Sequence, residues 1–457
     1  MNIAIISDPH LGYAWGTEKQ EDPFVQFEEA VKKAVGTADL VLLPGDIFDT
    51  RVPKQEIMEK AMKTLRVALD AQSSNVKIIE SKNMSKVSEY TTAGVPVVAI
   101  HGNHERRGSL MVNPVETLAA GGLLVYVDEG FILFEKGGEK VAIHGLGAVP
   151  EHDAKDYLNE WSPKPLEGAY NILVLHQSFK EMLYEEIAFL DYSDLPKGFD
   201  LYVNGHIHWS SLDDANGKKI LHPGSTAITQ MKKREAEEPK GFYFLETPSG
   251  KLDFVELERQ RKLYFKEFKF DKATPEQVLD EINEFLDAVP SSELKPSVKV
   301  KIKGSLQVGS SLDTSKLSRR FKDKLLLAMD DELESEDFKK KIASLRELHK
   351  QKVSITERGL AILKDNLAQA KYEGVAPSKV MGALEDGDSE KALTLVMSDE
   401  GRFNWKDHES SPEIAMEPVK EEPVKEKVEQ KTSSEEKRVE PEEKKSKPKG
   451  QVSLADF

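Results

Sequence analysis

Five short apolar runs in the first half of this chain each end in a cluster of carboxylate, amide or imidazole side chains, and this pattern constrains the fold most. Residues 3–6 lead into Asp8-Pro9-His10, and residues 40–43 into Gly45-Asp46-Ile47-Phe48-Asp49. Residues 97–100 lead into Gly102-Asn103-His104-Glu105. Residues 172–175 stop at His176, and residues 201–203 lead into Gly205-His206-Ile207-His208. Amphipathic stretches such as 24–35 and 55–69 lie between the runs. Alternation of strand-like and helix-like segments predicts an α/β layered fold. Such folds place ligands at the C-terminal ends of their strands, where these polar residues fall. The glycines permit the tight turns that let the side chains converge.

A chain of 457 residues is too long for one ordinary domain. The α/β pattern runs over 1–257, with hairpin character at 130–147 and at 213–255, where Asn216-Gly217 and Ser249-Gly250 supply turns. A largely parallel sheet extended by hairpins, or a two-sheet sandwich flanked by helices, fits both features. The pattern restarts over 262–327 as a small α+β module. There 264–270 and 297–302 alternate as strands, 275–286 reads as a helix capped by Thr274, and 314–327 as a second helix. Residues 335–373 read as a helical hairpin, with Leu345 and Leu348 on one helix and Leu360, Leu363 and Leu367 on the other. That apolar stripe packs either on its own chain or on a partner. Residues 407–450 are a Pro/Glu/Lys/Ser mixture expected to be disordered.

Asp8, His10, Asp46, Asn103, His176, His206 and His208 form a mixed oxygen and imidazole set. Such a set suits manganese, iron or zinc better than a hydrated magnesium. It exceeds what one ion needs and suffices for two, bridged by a carboxylate at about 3.5–4 Å separation, the arrangement that hydrolyses phosphodiesters. Each fragment alone is weak, since a lone Asp-x-His is more often structural; five in this order are specific. The chain has no cysteine, which excludes disulfides, thiolate zinc sites and a cysteine nucleophile. A net charge of −16 argues mildly against a protein that simply coats nucleic acid, although bound cations can make one face positive. No apolar run approaches a membrane span, and residues 1–5 open directly into a strand-like run without a cleavage site. A soluble cytoplasmic, nucleoid-associated protein with no membrane partner is therefore expected.

These blocks resemble those of the calcineurin-like metallophosphoesterase superfamily, D-x-H, G-D-x-x-D, G-N-H-[DE], H and G-H-x-H. Within it, Asp8-Pro9-His10-Leu11-Gly12-Tyr13, Gly45-Asp46-Ile47-Phe48-Asp49, Pro223-Gly224-Ser225 and Lys240-Gly241-Phe242 look like the Mre-eleven/SbcD nucleases. So does the order of parts. The likeness is specific over the first domain, looser over the next two segments and absent from the tail. It implies a metallophosphoesterase sandwich of two sheets flanked by helices, a small α+β DNA-capping domain and a hairpin that binds an ATPase. It further implies two manganese ions per subunit: Asp8, His10, Asp46 and His208 would hold one, and Asp46 would bridge to a second completed by Asn103, His176 and His206. His104 would be the acid or transition-state stabiliser. The resemblance implies a manganese-dependent 3′–5′ exonuclease and single-strand endonuclease acting on DNA in double-strand-break repair. It would work as a homodimer with a Rad-fifty/SbcC-type coiled-coil ATPase. In this chain Asp49 stands where archaeal and eukaryotic members usually carry a phosphate-positioning histidine, as in many bacterial ones, and the stretch 73–92 is longer than the family leads one to expect. The lack of cysteine and the short length point to an archaeal or bacterial source.

The C-terminal peptide 451–457 resembles a sliding-clamp (PCNA) binding box without its last aromatic, with Gln451, Leu454 and Phe457 as its contacts. Of the other histidines, His101 and His144 read as core or rim, His222 as structural or next to the site, and His152, His349 and His408 as solvated. Arg106-Arg107, Lys232-Lys233-Arg234 and Arg319-Arg320 are candidate phosphate contacts, although each alone is more often solvated surface. Two other classes compete with the nuclease: a nucleotide or cyclic-nucleotide phosphodiesterase or protein phosphatase on the same fold, and a scaffold that kept the fold. A docking hairpin argues against the former, and the full ligand set against the latter.

Overall fold

The computed structural model describes residues 1–82, 87–108, 111–183, 188–307, 311–334 and 378–380. Every element treated below belongs to the compact unit Met1–Glu347. The expected hairpin over 335–373, with Leu345, Leu348, Leu360, Leu363 and Leu367, lies outside the described residues. So do the linker 407–450 and the peptide bearing Gln451, Leu454 and Phe457.

Residues 1–257 form two facing sheets. The first has six strands, in the order Lys251–Glu256, Gly241–Glu246, Asn2–Ile5, Leu40–Pro44, Val97–Ile100 and Val125–Tyr126. Its last four strands run parallel. The second has seven, in the order Ser211–Ala215, Lys218–His222, Leu201–Asn204, Tyr170–Leu175, Glu139–Gly145, Gly130–Lys136 and Lys77–Lys82. Side chains alternate across a strand, so a strand buried on both faces reads as a continuous apolar run. Ile3, Ile5, Leu40 and Leu42 point inward against Ile143, Ile172, Val174 and Val203 of the opposing sheet. Ala4, Ile6, Val41 and Leu43 point outward, beneath Phe27 and Val31 of the helix Asp22–Val35 and Ile57 and Leu65 of Gln55–Leu69. The outer face of the second sheet is covered by Leu158 of the helix Ala154–Trp161 and by Phe179 and Phe199.

Between the two sheet readings open in the sequence, the sandwich is the one observed. Both hairpins form, the first across Gly130–Lys136 and Glu139–Gly145 and another at Asn216-Gly217, where both residues have positive φ. The long stretch 73–92 contains the edge strand Lys77–Lys82, paired antiparallel with Gly130–Lys136.

The second module is a three-stranded parallel sheet of Leu263–Ala273, Ser297–Leu306 and Leu326–Glu334, with the helices Pro275–Ala288 and Ser315–Phe321 as its connections. Val278, Ile282, Val298, Val300, Leu317 and Phe321 make its core. The helix expected over 314–327 is corrected: it ends at Phe321, and a third strand begins at Leu326 and carries the module past residue 327. Lys324 turns the chain there, donating to the carbonyls of Leu286 and Asp287 at the end of Pro275–Ala288.

Candidate metal centre

The five strands that precede the polar clusters lie side by side: Asn2–Ile5, Leu40–Pro44 and Val97–Ile100 in one sheet, Tyr170–Leu175 and Leu201–Asn204 in the other. Their C-terminal loops therefore meet at one edge of the sandwich. The backbone there is forced. Asp8, His10, Asp46 and His206 have φ of 48°, 47°, 48° and 71°, a left-handed conformation that non-glycine residues avoid and that persists where surrounding structure over-determines it. Gly102 permits the closest approach, because a Cβ at that position would sit 2.0 Å from Asp46 Oδ1 and 2.4 Å from Asp46 N.

All seven expected ligands converge. Donor atoms of Asp8, His10 and His208 lie within 4.8 Å of one another, as do those of Asp46, His176 and His206, and those of His10, Asp46 and His104. Asp46 stands between the groups, its Oδ2 at 3.8 Å from His10 Nε2 and 3.3 Å from His176 Nε2. Asn103 Oδ1 is 3.1 Å from His176 Nε2 and 2.9 Å from His206 Nδ1. Asp8 is held by the backbone N–H of His206 at 3.0 Å and by Ser7 Oγ.

A hydrogen bond on the far side of its ring shows which nitrogen of His176 carries a proton. His176 Nδ1 is 2.8 Å from the Pro44 carbonyl, which only accepts, so in the neutral ring Nε2 keeps its lone pair. His208 Nδ1 is 2.8 Å from Thr229 Oγ1, and its Nε2 faces His10 Nε2 at 3.0 Å. The neutral His176 thus aims its Nε2 lone pair at Asn103 Oδ1 and Asp46 Oδ2, both acceptors, an arrangement that a cation between them satisfies. The donor set fits divalent ions.

The electrostatics point the same way. Burial opposes charge on His176, yet Asp46 and Asp8 push it up to about 10. Against the burial that would raise it, His176 and His10 hold Asp46 well below the usual carboxylate range. Burial pushes His206 down to about 3 and His208 down to about 2, leaving neutral ligands. Asp46 demands a positive charge that a metal would supply in place of the His176 proton.

His104 is the outward member of the group, with 39% of its side chain exposed. Its N–H donates to Asp46 Oδ1 at 2.9 Å, and its Nδ1 lies 2.9 Å from the Asp49 carbonyl, leaving Nε2 free to face a ligand. The Asp49 carboxylate sits 3.3 Å from His10 Nδ1 and 3.6 Å from His104 Nδ1, close enough for charge attraction without hydrogen-bond alignment.

Three supports escaped the sequence reading. Glu105 is fully buried and accepts from the N–H groups of Phe48 and Gly102, both at 2.8 Å, so it staples the loop after Leu40–Pro44 to the loop after Val97–Ile100. Burial, reinforced by Asp46, pushes it up to about 8. Lys240, buried and paired with Glu235 at 2.8 Å, donates to the His208 carbonyl at 2.7 Å. Ser178 contacts His206 and is itself bonded to Glu151. Glu105 and Lys240 sit inside motifs already quoted; Glu235, Ser178 and Glu151 carry no local pattern. Among the other histidines, His144 and His222 are core residues, His101 is buried against Tyr126 and the Ala148 carbonyl, and His152 is exposed. Of the basic pairs, Arg320 is engaged by Asn283 and Asp287 and Arg234 by Glu238, while Arg107 bonds the Val112 carbonyl.

A family model described as calcineurin-like phosphoesterase matches residues 1–210, so this part of the chain is similar to that family. The chain is 28% identical over 288 residues to the DNA double-strand break repair protein Mre11 of Methanopyrus kandleri, covering 58% of each chain. It is 29% identical over 308 residues to the double-strand break repair protein MRE11 of Encephalitozoon cuniculi, covering 63% of this chain and 53% of that one. The matches thus span little more than half the length of these relatives. A crystal structure from Thermus thermophilus aligns over 56% of this chain and 99% of its own, at 14% identity and a TM-score of 0.32.

Proposed function

We propose, from a calcineurin-like phosphoesterase domain over residues 1–210, that this chain is a manganese-dependent DNA nuclease, a 3′–5′ exonuclease and single-strand endonuclease that processes ends in double-strand-break repair. The observation that carries this is the convergence of Asp8, His10 and His208 in one ligand group and Asp46, His176 and His206 in another, with Asp46 between them. Its direction toward DNA rests on the two repair proteins to which the chain is similar. Two divalent ions bound there supply Lewis acidity and charge neutralisation to a phosphodiester. The protein's own part is positional. Asp8, His10 and His208 hold one side of the site; Asn103, His176 and His206 hold the other; and Asp46 spans both. His104, fixed by its Nδ1 bond to the Asp49 carbonyl, offers Nε2 to the phosphate or the leaving oxygen. The Asp49 carboxylate, facing His10 and His104, acts on the position of the phosphate through these rings.

In this reading the module 262–334 caps the DNA, the chain acts as a homodimer, and the hairpin 335–373 docks a Rad-fifty/SbcC-type coiled-coil ATPase. The peptide 451–457 would tether the assembly to a sliding clamp. Among the described residues no helix is long and apolar enough to cross a membrane. The test is digestion of end-labelled duplex and hairpin DNA with manganese, magnesium or chelator, beside His104→Ala. Cutting should require manganese and fall by about 10²–10⁴ in the variant. No cutting by the intact chain, even with the ATPase added, moves the substrate to a smaller phosphodiester.

A further inference from the structure

We propose that Glu151 and Ser178 are positioning residues that orient His206 through a carboxylate–hydroxyl–imidazole relay and thereby fix the ring nitrogen it presents to an ion. This rests on the two-metal reading above. Ser178 Oγ lies 3.0 Å from His206 Nε2 and 2.9 Å from Glu151 Oε1, and the Ser178 N–H donates to Glu151 Oε2 at 3.3 Å. A serine hydroxyl has one proton, and an ionised carboxylate only accepts. Ser178 therefore donates to Glu151, and its oxygen accepts from His206 Nε2–H. The lone pair of His206 is left on Nδ1, which lies 2.9 Å from Asn103 Oδ1 on the ligand side. Ser178 is buried, so water cannot easily take the place of its hydroxyl.

The relay sets His206 apart from its neighbours. His176 leans on a carbonyl and His208 on a threonine hydroxyl, both neutral partners. His206 alone among the three is backed by a partner that runs on to a carboxylate. A carboxylate behind a ligand imidazole fixes its tautomer and raises its basicity. Glu151 comes from the turn Glu151–Asp153 ahead of the helix Ala154–Trp161, so this helix on the outer face of the second sheet is tied to the ligand group that holds His206.

The test is calorimetric titration of Mn²⁺ alone into the metal-stripped full chain, paired with histidine ring ¹⁵N shifts of the same samples. The parent should take up two ions and show His206 protonated on Nε2. Ser178→Ala should bind one ion as the parent does and the other about 10–100-fold more weakly, with His206 losing its single tautomer. Glu151→Gln should lose less at the same ion, and Ser178→Thr, which keeps the hydroxyl, should recover toward the parent. Parental uptake of both ions and an unchanged His206 tautomer in Ser178→Ala and Glu151→Gln overturn the relay. A parent that binds no Mn²⁺ at all overturns the two-metal reading, and the relay's role at an ion with it.

Discussion

His144 sits in the core between the rings of Phe131 and Phe199, with 2% of its surface exposed and Asn171 Oδ1 at 3.3 Å as its polar partner. Burial pushes it down to about 4, and pushes the equally buried His222 down to about 4. In the unfolded chain a histidine titrates near 6.5. The unfolded state therefore takes up the proton first, and the stability these neutral rings contribute is complete above about pH 6.5 and lost as pH falls toward 4. A difference of this size is worth a few kcal/mol per ring. The melting temperature should drop steeply from pH 6.5 to 4.5 in the parent and less steeply in His144→Gln; equal slopes would remove His144 as a cause. The same scale explains what could be read of the site. Asp8, His10, Asp46, Asn103, His104, His176, His206 and His208 are carboxylate, amide and imidazole groups placed just after apolar runs, so their positions announce them. Glu151, Ser178, Thr229 and Glu235 are common residues in segments without a pattern. Only the folding that brings Ser178 to His206 and Thr229 to His208 gives them a role.

The helix Pro275–Ala288 shows an element written in full by its local sequence. Thr274 Oγ1 accepts from the Gln277 N–H at 3.2 Å while Gln277 Oε1 accepts from the Thr274 N–H at 3.0 Å, and Pro275 takes the first helical position. Val278, Ile282 and Leu286 then follow at four-residue spacing onto the sheet. Thr274→Ala should cost about 1 kcal/mol, seen as an earlier urea midpoint, and restoring a cap with Ser or Asp should return most of it. An unchanged midpoint would mean that packing alone holds the helix. Elements buried on both faces were equally readable, because strands such as Leu40–Pro44 need apolar residues throughout. Two strands were not. Lys77–Lys82 is a sheet edge whose side chains mostly face water, so its lysines and glutamate hide the strand period while blunting the edge. Leu326–Glu334 follows a helix directly, and Leu326, Met329 and Leu333 recur at helical intervals. Its strand state comes from parallel pairing with Ser297–Leu306, a distant partner that no local window contains.

At the scale of the described unit, the two-sheet domain and the three-stranded module are joined by a short segment, and one side chain bears much of the junction. Arg261 forks onto Asp22, with Nε at 2.6 Å from Oδ2 and Nη2 at 2.8 Å from Oδ1, and Nη2 also reaches the Glu18 carbonyl at 3.1 Å. Its Nη1 donates to the Lys295 carbonyl on the module side, and Lys295 itself pairs with Glu18 at 2.8 Å. Beside this junction a cleft of about 610 Å³ opens between Tyr13 and Lys19 on the domain and Lys322 and Leu326 on the module. Asp22 stands in the first turn of Asp22–Val35, where the helix dipole already favours its charge, so Arg261 completes an arrangement that the helix begins. Lysine cannot reproduce it: one ammonium has no planar fork to satisfy a carboxylate and two carbonyls together. Arg261→Lys should therefore lose about 2–3 kcal/mol of docking. Limited proteolysis should cut near residues 257–262 faster than in the parent, while Mn²⁺ uptake at the ligand groups stays the same. Faster cleavage together with unaltered uptake would separate the hinge from the metal centre. Cleavage at the parental rate would mean that the other contacts of the junction, such as Lys295 with Glu18, hold the module in place without the fork.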